Sequence, residues 1–101
     1  MADYYVVERV SGPEWDGARP TREQAGWDEH ARFMDRLAEE GFVVLGGPLG
    51  EEAGDGALLV VAVGSEEEVR ARLAADPWEG TILTLRSIRP WSIWVRGPRR
   101  A

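Results

Sequence analysis

Cysteine and lysine are both missing from this 101-residue chain. Without cysteine there are no disulfides, no thiolate zinc sites and no cysteine nucleophile. Without lysine there is no Schiff-base chemistry on an amine side chain. All 12 basic residues are therefore arginines, and 18 acids outnumber them, for a net charge of −6. An acidic surface argues against phosphate-backbone binding, so nucleic acid is not an expected partner. No apolar run reaches the roughly 18 residues of a membrane helix, and no membrane association is expected. The first residues lack the basic, apolar and small-residue blocks of a secretion signal, so a cytoplasmic protein is expected. The length suits a single domain over 1–101, which buries roughly two-thirds of its unfolded surface. What is abundant is tryptophan: five residues, pointing to large buried contacts, an aromatic-walled pocket, or both.

Hydrophobic periodicity divides the chain into alternating strands and helices. Tyr4-Tyr5-Val6-Val7 reads as a strand. Residues 11–26 form a long polar insertion around Trp15, where Thr21 and Gln24 have capping-box spacing. Residues 27–40 read as an amphipathic helix with Trp27, Ala31, Met34, Leu37 and Ala38 on one stripe, closed by Gly41. Phe42-Val43-Val44-Leu45 is the next strand, ended by Gly46-Gly47-Pro48, and residues 51–56 are a polar loop. Residues 57–63 make an apolar strand, and Ser65 with Glu68 marks the start of a helix that stops near Ala75, ahead of Pro77. Residues 82–89 are the last clear strand. Pro90 interrupts it before the segment 91–95, and 96–101 is a frayed basic tail. The order β-α-β-β-α-β predicts a ferredoxin-like α+β fold: a four-stranded antiparallel sheet with two helices on one face.

A sheet with one wet face alternates apolar and polar residues. The strands at 4–7, 42–45 and 57–63 do not, so both faces must be covered. A second copy of the chain, packed through the open face, is the simplest cover. The other is the 11–26 loop folding across it.

His30 is the one histidine, and it shares the helix stripe with Trp27 and Met34. A lone histidine on such a face is most often a hydrogen-bonded core residue; it is also the side chain best suited to proton transfer near neutral pH. Asp76 precedes Pro77 and Trp78, a common turn signal, and its other reading is a carboxylate that orients His30. Gly46, Gly47 and Pro48 permit a turn or the close approach of a ligand. Trp15, Trp27, Trp78 and Trp91 are candidate pocket walls. Arg9, Arg86 and Arg89 are candidate clamps for a carboxylate, or simply solvated. No metal spacing, phosphate loop, dinucleotide fingerprint or serine elbow is present, so neither metal nor cofactor is expected.

The His30 helix followed by Gly41, the Gly-Gly-Pro at 46–48, the apolar strand 57–63, the helix from Ser65 and the Asp76-Pro77 pair resemble the YciI-like (YCII-related) proteins of the dimeric α+β barrel superfamily. The likeness spans about Tyr4 to Val95. It implies a ferredoxin-like protomer, a dimer with sheets packed face to face, and an active site whose histidine and aspartate fall on His30 and Asp76. One branch of that family performs a dehydrochlorination, and superfamily neighbours include muconolactone isomerases and small monooxygenases. The long loop before the first helix and the Trp91–Trp94 segment depart from the common pattern.

These readings converge on a small-molecule enzyme of lyase or isomerase type. His30 and Asp76 are its catalytic candidates, with Trp27, Met34, Gly46, Gly47, Pro48 and Trp78 around a small-molecule ligand. The competing expectation is a non-catalytic dimeric module that binds a small ligand or a partner.

Overall fold

The computed structural model describes residues 4–50 and 56–98. The predicted polar loop at 51–56 lies almost wholly outside these residues, as does the end of the tail. Four strands form one antiparallel sheet: β1 (Tyr4–Ser11), β2 (Val43–Pro48), β3 (Ala57–Val61) and β4 (Leu83–Trp91), in the order β2-β3-β1-β4. Helices α1 (Trp27–Glu39) and α2 (Glu66–Leu73) supply the crossovers. This is the ferredoxin-like α+β arrangement that the sequence pattern predicts.

Local chemistry sets the helix ends. Ser65 accepts the Glu68 amide in its side chain, capping α2. Gly41 takes φ 82°, and the amides of Gly41 and Phe42 bond back to the carbonyls of Ala38 and Leu37. That left-handed turn sends the chain from α1 directly into the sheet. The other predicted capping box, Thr21 with Gln24, is not formed. Thr21–Glu23 is a single 3-10 turn with no side-chain cap, because Gln24 is committed elsewhere. Its amide side chain receives the Asp16 N–H and donates to the carbonyls of Asp16 and Arg19.

Several strand boundaries differ from expectation. β1 continues past Val7 to Ser11, the first residue of the expected loop. β2 does not stop at Leu45 but runs through Gly46, Gly47 and Pro48, since each finds a partner on β3 (Leu59, Leu58 and Ala57). β3 ends at Val61 rather than at 63. β4 passes through Pro90, which stands opposite Tyr5; β4 is an edge strand, where a missing N–H need not cost a ladder bond. The predicted continuation over 91–95 is not a strand beyond Trp91, and Trp94 and Val95 are exposed. A bulge interrupts the β1–β4 ladder: Glu8 pairs with Ser87 but Arg9 pairs with Leu85, so Arg86 is the extra residue.

The main core lies between the sheet and the helices. Val7, Leu59, Val61 and Ile88 meet Leu37, Val69 and Leu73, with Phe42 at the hinge between α1 and β2. A second cluster, Trp78, Ile82 and Leu83, packs with Trp15 and Trp27. The 11–26 loop belongs to this second cluster. It is tied down by backbone bonds from Gly12 to Ile82 and from Glu14 to Thr81. It therefore does not fold across the opposite sheet face. There Val6 and Leu58 are incompletely buried, and Leu45 and Trp91 are exposed.

Gly12 sits where the loop leaves β1, and a methyl group there would collide with the Thr81 carbonyl and crowd the Thr84 hydroxyl. Gly12→Ala is expected to lower stability by about 1–3 kcal/mol. Gly17→Ala in the same loop meets no atom within 4 Å and should stay within about 0.5 kcal/mol. Urea denaturation of both variants checks the contrast.

Candidate active site

Helix α1 carries His30 in its first turns, its amide bonded to the Gly26 carbonyl. The 3.6-residue period turns the ring inward, and His30 is 8% exposed. Asp76 arrives from the turn after α2. Its amide bonds the Leu73 carbonyl, and its Oδ1 accepts the Trp78 amide at 2.9 Å. The carboxylate thus builds the turn and also reaches His30, whose Nδ1 lies 3.0 Å from Oδ1 and 2.9 Å from Oδ2. The two readings of Asp76, turn former and partner of His30, are one arrangement. An ionised carboxylate only accepts, so Nδ1 carries the proton of the neutral ring and Nε2 carries none.

Trp78 finishes the support. Its ring stacks on the imidazole at 4.0 Å between centroids and 7° between planes. Its own Nε1–H donates to the Ala25 carbonyl at 2.8 Å, just ahead of α1. Trp27 tilts against both rings, at 5.8 Å from His30 and 5.7 Å from Trp78.

Beside Asp76 lies Arg9, which is 1% exposed. Its Nη2 is 2.8 Å from Asp76 Oδ2 and 3.2 Å from Glu79 Oε1. Glu79 Oε2 accepts the Leu85 amide at the bulge. The guanidinium is thus an internal counter-ion between two acids, not a free clamp for a ligand's carboxylate. Arg86 and Arg89, its fellow candidates, are exposed, and Arg86 lies 3.8 Å from Glu8. Burial pushes the Asp76 carboxyl up. The His30 hydrogen bond, the Trp78 amide and the Arg9 charge outweigh burial and hold it below its ordinary value of 3.8.

A cavity of about 340 Å³ opens between α1, β2 and the 11–26 loop. His30, Trp27, Met34 and Trp78 form one side, and Gly46, Gly47 and Pro48 another. All seven are site candidates in the sequence. Asp76 does not line the cavity; it stands behind the imidazole and holds the ring through Nδ1. A Cβ on Gly46 would fall 2.6 Å from Leu59 Cδ2, so the leucine side chain would have to shift. Gly47 meets nothing within 4 Å. Of the four candidate tryptophans, Trp15 joins Trp27 and Trp78 on the wall, while Trp91 is exposed and apart. Arg9 and Glu79 complete the charged cluster. Arg9 was legible as the second position after Val7 on one strand face, whereas nothing around Glu79 signalled its role.

Among the described residues no group of three acids or histidines is placed to hold a metal, and no helix is long and apolar enough to cross a membrane. Fold and site together define a ferredoxin-like domain with His30 on a cavity wall and a buried carboxylate behind it. The YCII-related domain model matches residues 5–92, and the chain belongs to that family. No curated protein matches it.

The lowered Asp76 pKa fixes the sign of a stability effect. A carboxyl held below its unfolded value stabilises the fold fully above about pH 4, and that contribution fades as pH falls through the folded value. Asp76→Asn is expected to cost about 3 kcal/mol at pH 7, with the gap from wild type narrowing below about pH 4. Urea titrations across that range measure it, and a constant gap would contradict the assignment.

Proposed function

We propose that this protein is a small-molecule enzyme of lyase or isomerase type in which His30 moves a proton. The supporting observation is the His30–Asp76 pair: a ring held through Nδ1 by a buried carboxylate, set in the wall of a largely apolar cavity. In the proposed step Nε2 takes a proton from a carbon beside a carbonyl, and the C–H electron pair becomes the enolate. In an isomerase the imidazolium returns that proton at another atom. In an elimination the pair forms a C=C bond as a halide or similar group leaves, and the imidazolium then gives its proton to solvent. Asp76 keeps the tautomer that leaves Nε2 unprotonated and stabilises the imidazolium. Gln24 and the loop it folds hold Trp15 over the cavity.

The competing reading is a ligand-binding module without catalysis. It draws on the structural work that Asp76 already does for the Trp78 turn and for Arg9. Deuterium uptake separates the two. Incubated in D2O with a panel of cyclic ketones and lactones, the wild type should label carbon beside the carbonyl of at least one compound. His30→Ala should lose that labelling by at least about a hundredfold. Labelling by His30→Ala at the wild-type rate would remove the proposal.

We also propose that two copies pair through the sheet face opposite the helices. Tyr4, Val6, Val10 and Leu58 stand half-buried there in one chain, with no helix over them. Sedimentation at micromolar concentration should give twice the mass of the chain, and a stable single chain would refute the pairing.

A further inference from the structure

Among the described residues the large apolar side chains left exposed fall into two groups. Val44 and Leu45 are on β2, and Leu45 is 67% exposed. Trp91 ends β4, and Trp94 and Val95 follow it in a C-terminal arm, 92% and 90% exposed. Single apolar residues on a surface need no explanation, but clustered ones mark contact sites. The family match ends at residue 92, just before Ile93, Trp94 and Val95.

In one chain neither group covers the other. β2 and β4 are the opposite edges of the sheet, with β3 and β1 between them, so about 14 Å separates the two edge strands. A two-fold pair supplies the missing contact, because each contact between unlike patches is then made twice. Both groups border the sheet face opposite the helices. Leu45 stands in a cross-strand row with Val60 and Val6, and Trp91 stands opposite Tyr4. When two such faces meet about an axis running along the strands, β4 of each copy lies over β2 of the other.

Charge favours the same occupant. The last six residues hold three of the 12 arginines and no acid, while the chain up to Val95 carries nine arginines against all 18 acids. A basic arm finds its complement on the acidic surface of a second copy.

Resting on the proposed pairing through the sheet face, we infer that the arm of each copy lies along β2 of its partner and seats Trp94 against Val44 and Leu45. Those two side chains also line the cavity that holds His30. The arm is therefore a wall of the partner's cavity, and each site is built from two chains.

A chain without cysteine makes a clean crosslinking test. Leu45→Cys and Trp94→Cys are prepared as separate full-length chains, each with one thiol at an exposed position, then mixed to exchange partners and treated with a short bismaleimide. The mixture is expected to form covalent dimer at least about tenfold faster than either variant alone. Trp94→Ser alters a side chain that packs on nothing in its own chain, so it should keep the wild-type circular dichroism. Sedimentation should show its dimer dissociation constant raised at least about tenfold. The inference is overturned if the mixture crosslinks no faster than the single variants, or if Trp94→Ser pairs as tightly as wild type. It is also overturned if the wild type binds phosphatidylserine vesicles through Trp94 while the mixed chains do not crosslink, which would assign the arm to a lipid surface. A single chain in sedimentation removes the pairing and the arm contact together; a stable pair without the mixed-chain link removes the arm contact alone. Neither readout depends on the chemistry of His30.

Discussion

A carboxylate taken out of water must be surrounded by donors or it will not stay ionised, and Asp76 meets that requirement from three directions. The Trp78 amide comes from its own turn, the His30 ring from α1 and the Arg9 guanidinium from β1. Each of these groups is fixed by the contact as much as the carboxylate is. The turn after α2 has its shape because the acid accepts the backbone N–H two residues on. The ring of His30 is held with Nδ1 toward that carboxylate and one face against Trp78. The first helix, the central strand and the second crossover therefore converge on one pair of oxygen atoms.

Aromatic packing carries that order outward. Trp78 lies flat on the imidazole and hands its indole hydrogen to the residue just before α1, so the helix start and the Asp76 turn are joined by one side chain. Trp27 and Trp15 extend the same cluster to the 11–26 loop, whose fold is organised by the buried amide of Gln24. A long polar insertion thus becomes a wall rather than a flap. It closes one end of the cavity without covering the far side of the sheet.

Local signals made most of this fold legible. A serine three residues ahead of a glutamate, a glycine after an amphipathic run and a proline beyond a helix act within a turn or two, so the order of elements could be read along the chain. The inward direction of His30 was legible for the same reason, through its spacing from Trp27 and Met34. The meeting of His30 with Asp76 was not, because 46 residues separate them and only the assembled sheet sets the distance. Gly46-Gly47-Pro48 and Pro90 read as strand breaks by composition. Pairing with β3 and an edge position overrode that. The family resemblance located the histidine and the aspartate, but it said nothing of Arg9 or Glu79, whose roles depend on side-chain ends meeting across three elements.

The bulge between β1 and β4 has a bearing on how this sequence can change. Arg86 is the one residue of β4 skipped in the ladder, and skipping it lets Leu85 stand opposite Arg9 while Arg86 turns outward to Glu8. In a regular ladder Arg86 would take the place facing Arg9, and a second guanidinium would be driven into the interior beside the first. A slip of one residue in this register would therefore exchange a half-buried leucine for a cation opposite Arg9. The exposed bulge residue thus holds the register on which the buried face of this edge strand depends.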